Sequence, residues 1–145
     1  MKKMRVLAKV SLIALTFLVW SSTVFSQSKM PVGSLTTEWN LFQEVKGVKF
    51  SAKKEIQAKD EYVLVKLENT TNKEITISYT LAVNYNLGCN GCNKENLKSY
   101  TIPAMSSIEG NLSHFASPLA MHITNNDPKN TYIPLHISTE NLTIK

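Results

Sequence analysis

Apolar side chains occupy every second position from Ile75 to Tyr85: Ile75, Ile77, Tyr79, Leu81, Val83 and Tyr85, with Thr76, Ser78, Thr80, Ala82 and Asn84 between them. Successive side chains on a strand point to opposite faces, so this segment has one apolar face and one small or polar face. A helix would scatter the same six residues around its girth. Just upstream, Val63, Val65 and Leu67 alternate in the same way, and Asn69-Thr70-Thr71-Asn72-Lys73 between the two runs has turn chemistry. Residues 62–85 are therefore predicted to form a long β-hairpin. Shorter strands are predicted at 41–45 and 48–52 around Gly47, which marks a bulge or a tight turn, and at 97–102 and 108–112. Leu119, Met121 and Ile123 alternate, as do Ile133, Leu135 and Ile137, and Leu142 with Ile144 closes the chain. Pro134 inside that pattern predicts an edge position or a bulge.

About seven to nine short strands with turn signals between them predict an all-β fold, an antiparallel β-sandwich, with a small barrel as the competing architecture. Trp39, Phe42 and Phe50 are expected in its core. Residues 27–37 read as a flexible lead-in and 38–145 as the sandwich domain.

A different pattern governs residues 1–26. Lys2, Lys3 and Arg5 make a basic start, Val10 to Trp20 is an apolar run broken only by Ser11 and Thr16, and Val24-Phe25-Ser26 precedes Gln27. This is the layout of a secretory signal peptide cleaved after Ser26. The alternative is a retained anchor, but the apolar run is shorter than the roughly 20 residues a bilayer-spanning helix needs. A secreted or periplasmic product without stable membrane insertion is expected.

Removing the leader changes the charge. Four of the 16 basic residues and none of the 11 acidic ones lie in it, which leaves 12 against 11, a net of +1. Arg5 is the only arginine. Without a basic stripe or a guanidinium fork the chain is a poor partner for nucleic acid or phosphate. The remaining 119 residues suffice for one domain that folds on its own core.

Trp39, the Gly47-Val48-Lys49-Phe50 strand start, the Val65-Lys66-Leu67-Glu68-Asn69 strand end and the long alternating strand after it resemble small exported bacterial proteins with an immunoglobulin-like or fibronectin-III-like sandwich. The resemblance covers residues 38–145 and implies that fold. Those proteins have no assigned activity, so it implies no catalytic residue.

Cys89-Asn90-Gly91-Cys92 is the one motif with chemistry in it. In an oxidising compartment it reads as a disulfide pinching a turn, since Asn-Gly permits a tight reversal. Thiol redox catalysis is an alternative, but thioredoxin-type pairs open a helix and Asn93-Lys94-Glu95-Asn96 reads as loop. Copper or zinc binding is another, with Cys89 and Cys92 joined by His122 and His136. Those two histidines would share a sheet face if their strands formed a hairpin around residues 125–130. Haem attachment fails because Asn93 stands where a histidine should follow. His114 lies in a loop with no companion.

No nucleophile elbow, zinc-protease motif or phosphate-cradling loop is present, and no cofactor is called for. Asp60 and Asp127 sit in apparent turns. The Asn69, Asn111 and Asn141 sequons read as Asn/Thr turn chemistry in a bacterial chain. The expected function is therefore that of an exported non-catalytic module with a binding or structural role, its partner another envelope or extracellular protein or a glycan. The expected contact loops carry Asn90 and Gly91 in one case and Asn126 and Asp127 in the other. Thiol or metal handling by Cys89 and Cys92 is the rival reading, and inhibition of a secreted enzyme a third.

Overall fold

The computed structural model describes residues 28–113, 119–123 and 132–145, and strands dominate them, with no α-helix. Lys46 and Gly47 hold φ of 50° and 75°. Two consecutive positive values make a reversal whose twist suits paired strands, so Gly47 marks a tight turn. It joins β2 (Asn40–Val45) to β3 (Val48–Gln57), and a second reversal returns the chain as β4 (Asp60–Asn69). Val48, Phe50 and Ala52 of β3 lie opposite Asn69, Leu67 and Val65 of β4 and share the inner face.

The alternating segment is β5 (Ile75–Tyr85); its odd-numbered residues from Ile75 to Val83 are buried as the pattern predicts, Tyr85 is half-buried, and Thr80 and Ala82 on the other face are buried as well. The predicted hairpin over 62–85 does not form. β4 pairs with β3, whereas β5 pairs with β10 (Pro134–Ile144) in a second sheet. The turn at 70–74 carries the chain from one sheet to the other, because β4 and β5 bury their apolar faces against each other instead of side by side.

The second sheet runs β1 (Lys29–Pro31), β10, β5; the first runs β2, β3, β4. Each ends in an interrupted edge strand. On β5 the edge is shared by β6 (Gly88–Asn90) and β7 (Lys98–Ile102), and on β4 by β8 (Ser107–Glu109) and β9 (Ala120–His122). Ten antiparallel strands in two sheets are thus present among the described residues, and the sheets do not close into a barrel. Phe50 and Tyr79 meet edge to face between the sheets, with ring centroids 5.6 Å apart. Val48, Val65, Leu67, Ile77, Val83, Ile102 and Ile137 fill the layer around them with no solvent exposure.

Two sequence expectations meet corrections here, and the bulge expected at Pro134 is borne out. The predicted lead-in is structured from Ser28 onward: β1 pairs with β10, and Val32 and Leu35 are buried. Trp39 stands on the outer face of the first sheet, half-buried between the ammonium groups of Lys53 and Lys66, at 5.0 and 6.0 Å. Phe50 is central, and Phe42 packs on the margin of the core. Pro134 begins β10, a bulge follows it, and Ile133 and Leu135 face solvent while Ile137 is buried.

One buried polar side chain ties the sheet-to-sheet corners together. Asn69 has no exposure. Its Nδ2 donates to the carbonyl oxygens of Lys73 (2.7 Å), Ile102 (3.1 Å) and Pro103 (3.0 Å). Its Oδ1 accepts from the Thr71 amide and hydroxyl at 2.9 and 2.8 Å. The first acceptor belongs to the β4–β5 corner, the next two to the β7–β8 corner. Thr70 completes the set by donating to the Gly47 carbonyl from both amide and hydroxyl. Asn69 therefore serves the backbone and is not an accessible glycan acceptor, and Asn111 likewise accepts from Ser113 two residues on.

Asn69→Ala removes every side-chain contact at once, takes a donor from the buried Ile102 carbonyl and from the carbonyls of Lys73 and Pro103, and leaves the Thr71 amide without its acceptor. It is expected to cost roughly 3 kcal/mol, read from the denaturant midpoint. A second prediction concerns Tyr79 and Tyr100, whose buried hydroxyls have no hydrogen-bond partner among the described residues. Burial, reinforced by the neighbouring Tyr100 phenol, holds Tyr79 well above its ordinary value, and burial pushes Tyr100 up to about 12. The unfolded chain ionises these phenols near pH 10 while the folded one keeps them neutral. Stability is thus full below about pH 10 and falls as pH rises toward about 12. Tyr79→Phe should flatten that alkaline limb and leave neutral-pH stability unchanged or raised by about 1 kcal/mol.

Candidate functional site

β6 follows β5 directly, pairing Gly88, Cys89 and Asn90 with Tyr85, Asn84 and Val83. The chain then leaves the edge of β5 at Gly91 and rejoins it at Lys98, which pairs with Tyr79. Cys89 and Cys92 close the mouth of this excursion. Their sulfurs lie at disulfide distance, with Cα atoms 5.9 Å apart, inside the range a bridge needs. Gly91 has φ of +83°, and a Cβ there would lie 2.2 Å from the Leu81 carbonyl oxygen. The Asn-Gly spacing inside the pair thus serves a close main-chain approach to β5, with Gly91 as the residue that permits it. No helix follows the pair, only a 3-10 turn at Lys94–Asn96. The dipole that activates thioredoxin-type cysteines therefore has no counterpart here.

At the end of the molecule where β5 finishes, a cleft of about 420 Å³ opens between the sheets, lined by Tyr85, Leu87, Gly88, Cys89, Asn90, His122 and Tyr132. That volume lies in the range of small-ligand sites. Each wall is held by an identifiable interaction. The Asn86 amide donates to the Ile133 carbonyl at 3.1 Å, and the Ile133 amide donates to Asn86 Oδ1 at 3.0 Å, which fixes Tyr132 near the β5–β6 turn. Tyr85 and Tyr132 meet edge to face at 6.1 Å. His122 enters from the other sheet, where Tyr62 is its cross-strand partner; their ring centroids are 5.1 Å apart, and His122 Nε2 lies 3.2 Å from Asp60 Oδ1. Burial raises the Tyr85 phenol above its ordinary value, so it enters the cleft neutral.

The sequence-derived candidates are distributed as follows. Cys89 and Asn90 line the cleft, and Cys92 lies beside it through its bond to Cys89. Gly91 lies in contact distance of β5 just below. His122 and His136 do not share a sheet face. β9 joins β4 in the first sheet and β10 joins β5 in the second, so the expected hairpin between them does not exist. His136 lies opposite Asn84 in the second sheet. No group of three or more His, Cys, Asp or Glu side chains suited to a metal occurs among the described residues. Asn126, Asp127 and His114 lie outside the described residues. Ile123 and Tyr132, on either side of the 124–131 segment, both sit at the cleft end, since Ile123 bonds to Glu61 and Tyr132 lines the cleft.

Tyr85, Leu87 and Tyr132 were not singled out by sequence reasoning. Tyr85 read as a core position, and nothing local marks Leu87 or Tyr132, because their meeting depends on Asn86 pairing with Ile133 far along the chain. The Asp60–His122 contact depends in the same way on β9 joining β4.

Closing so short a ring restrains few unfolded conformations. Reduction of the Cys89–Cys92 pair is expected to lower stability by about 2 kcal/mol or less. Amide exchange should then rise over residues 86–97 and stay unchanged in β3, β4 and β10. Gly91→Ala is expected to cost more than reduction, about 3 kcal/mol, because the left-handed φ and the Leu81 carbonyl both oppose a Cβ. Thermal melts of the oxidised, reduced and Gly91→Ala proteins check the order. No family model, curated protein or solved structure matches this chain.

Proposed function

We propose that this protein is an exported, non-catalytic binding module of the immunoglobulin-like sandwich type, secreted or periplasmic once its leader is removed after Ser26. Its ligand seat is the end cleft. The observation that supports this is the composition of that cleft: two tyrosines, Leu87, Asn90 and His122 on walls fixed by hydrogen bonds from both sheets. Apolar and aromatic walls with a few fixed polar groups suit binding. Tyr132, 40 % accessible, supplies an aromatic anchor of the kind that dominates recognition, and the exposed Leu87 adds apolar area beside it. The leader and the cysteine pair both favour an oxidising destination. The partner is another envelope or extracellular protein, or a glycan.

Capture tests the proposal. The oxidised protein, immobilised and exposed to a periplasmic extract and to a glycan array, should retain a partner. A Leu87→Ala/Tyr132→Ala variant should lose it by about tenfold or more with its strand circular dichroism intact. Retention unaffected by that variant moves the site elsewhere, and steady turnover of a substrate by the purified protein overturns the non-catalytic reading. Stoichiometric copper or zinc binding by the reduced protein, abolished by Cys89→Ser, would favour metal handling instead.

A further inference from the structure

The cysteine bond does little for the fold as a whole. Cys89 and Cys92 lie on one excursion from one edge of β5, three positions apart, so their bond joins neither the two sheets nor distant parts of the chain. What it fastens is local. No residue from 86 to 97 is buried, and within that stretch Gly91 and Cys92 alone are half-buried. β6 lies along β5 through three residue pairs, Gly88, Cys89 and Asn90 opposite Tyr85, Asn84 and Val83. Asn90, Gly91 and Asn96 also border, with Tyr79 and Leu81 of β5, a cavity of about 170 Å³. Part of the excursion thus faces space instead of packed side chains. A segment with no buried apolar residue sits at the low end of local stability.

The end cleft depends on this segment. Leu87, Gly88, Cys89 and Asn90 supply more than half of its lining residues, with Tyr85, His122 and Tyr132 as the rest. The two bonds between Asn86 and Ile133 hold one end of that wall, and the cysteine bond holds the other. Cys89 is exposed and lines the open cleft, whereas Cys92 is half-buried. An incoming thiol therefore reaches the Cys89 sulfur first, and exposed disulfides are the ones that exchange with the thiol pool.

We infer that the Cys89–Cys92 bond is a redox latch on the end cleft: thiols of the glutathione class open it through Cys89, the wall at residues 88–92 loosens, and the cleft releases its ligand. In the first step a thiolate attacks Cys89 Sγ and forms a mixed disulfide. The Cys89–Cys92 bond breaks, and its electron pair leaves on Cys92, which takes a proton. A second thiol attacks the mixed disulfide, frees Cys89 as a thiol and departs as the oxidised disulfide of the donor. The inference rests on the end cleft being a ligand seat and adds its control. A chain held in a reducing compartment is then incompetent to bind, and competence arrives where the bond forms.

The test equilibrates the purified protein in glutathione buffers of graded poise. Mass, amide exchange and amide NMR follow it, with indole as the cleft probe. The pair should pass from oxidised to reduced within the glutathione range, through an acid-quenched glutathione adduct that maps to Cys89, with strand circular dichroism unchanged. Reduction should raise amide exchange at residues 88–92 by about tenfold or more. Indole should shift the amides of Tyr85, Leu87 and Tyr132 in the oxidised protein, with an affinity that falls about fivefold or more in the reduced one. Cys89→Ser/Cys92→Ser should match the reduced protein in every buffer. A pair that stays oxidised throughout, an adduct on Cys92, or equal indole affinity in both forms overturns the latch and leaves the cleft standing. No indole shift at the cleft in either form overturns the cleft reading, and the latch with it.

Discussion

The fold depends on how the chain passes between its two layers, and one carboxamide ties two of those passages together. A strand end that turns into the opposite sheet leaves main-chain groups without ladder partners, and inside a protein such groups are costly. Asn69 satisfies them with donors and acceptors that no apolar residue has. Because its bonds reach the corners after both β4 and β7, the spacing of the sheets at that end is set by side-chain geometry as well as by core volume. The cross-layer bond from the Thr139 hydroxyl to Gln43 Oε1 adds a second buried polar tie between the layers. The apolar contacts between Phe50 and Tyr79 then work within a gap that is already defined.

The sequence carried the strands better than their partners. The alternation from Ile75 to Tyr85 identified β5 with its inner and outer faces, because a period of two is a local property of the chain. The same alternation is compatible with a neighbour in the same sheet or one across the core, which is why β4 and β5 read as a hairpin. Asn69 was read as turn chemistry, which its bonds to Thr71 and Lys73 bear out, while its bonds to Ile102 and Pro103 depend on long-range packing that local reading does not reach. Pro134 announced the bulge at the start of β10 but not its effect on facing: Ile133 and Leu135 look like Ile137 in sequence, and only the register shift separates them. Trp39 was assigned to the core by its hydrophobicity, whereas its indole rests against lysine ammonium groups on an outer face.

The site was legible to a lesser degree. Spacing alone marked Cys89 and Cys92, and Gly91 between them, as a pinched loop. The cleft they border was invisible because its walls come from three separated segments, around residues 87, 122 and 132. The pairing of His122 with His136 failed for the reason the hairpin did, since adjacency in sequence did not become adjacency in a sheet. Asp60 and Tyr62 are the real neighbours of His122.

The interrupted edge strands have one more consequence. A long, straight, unpaired ribbon invites end-to-end polymerisation through its main chain. Here the excursion at Gly91 splits one such ribbon into three- and five-residue pieces, and the break after Glu109 leaves two three-residue pieces on the other sheet. At the opposite edges β1 has three residues and β2 is kinked by its own bulge. Among the described residues these short, broken or bulged borders give another sheet little to zip onto. The break that ends one of them at Asn90 thus discourages stacking of copies and also sets Cys89 and Asn90 in the wall of the end cleft.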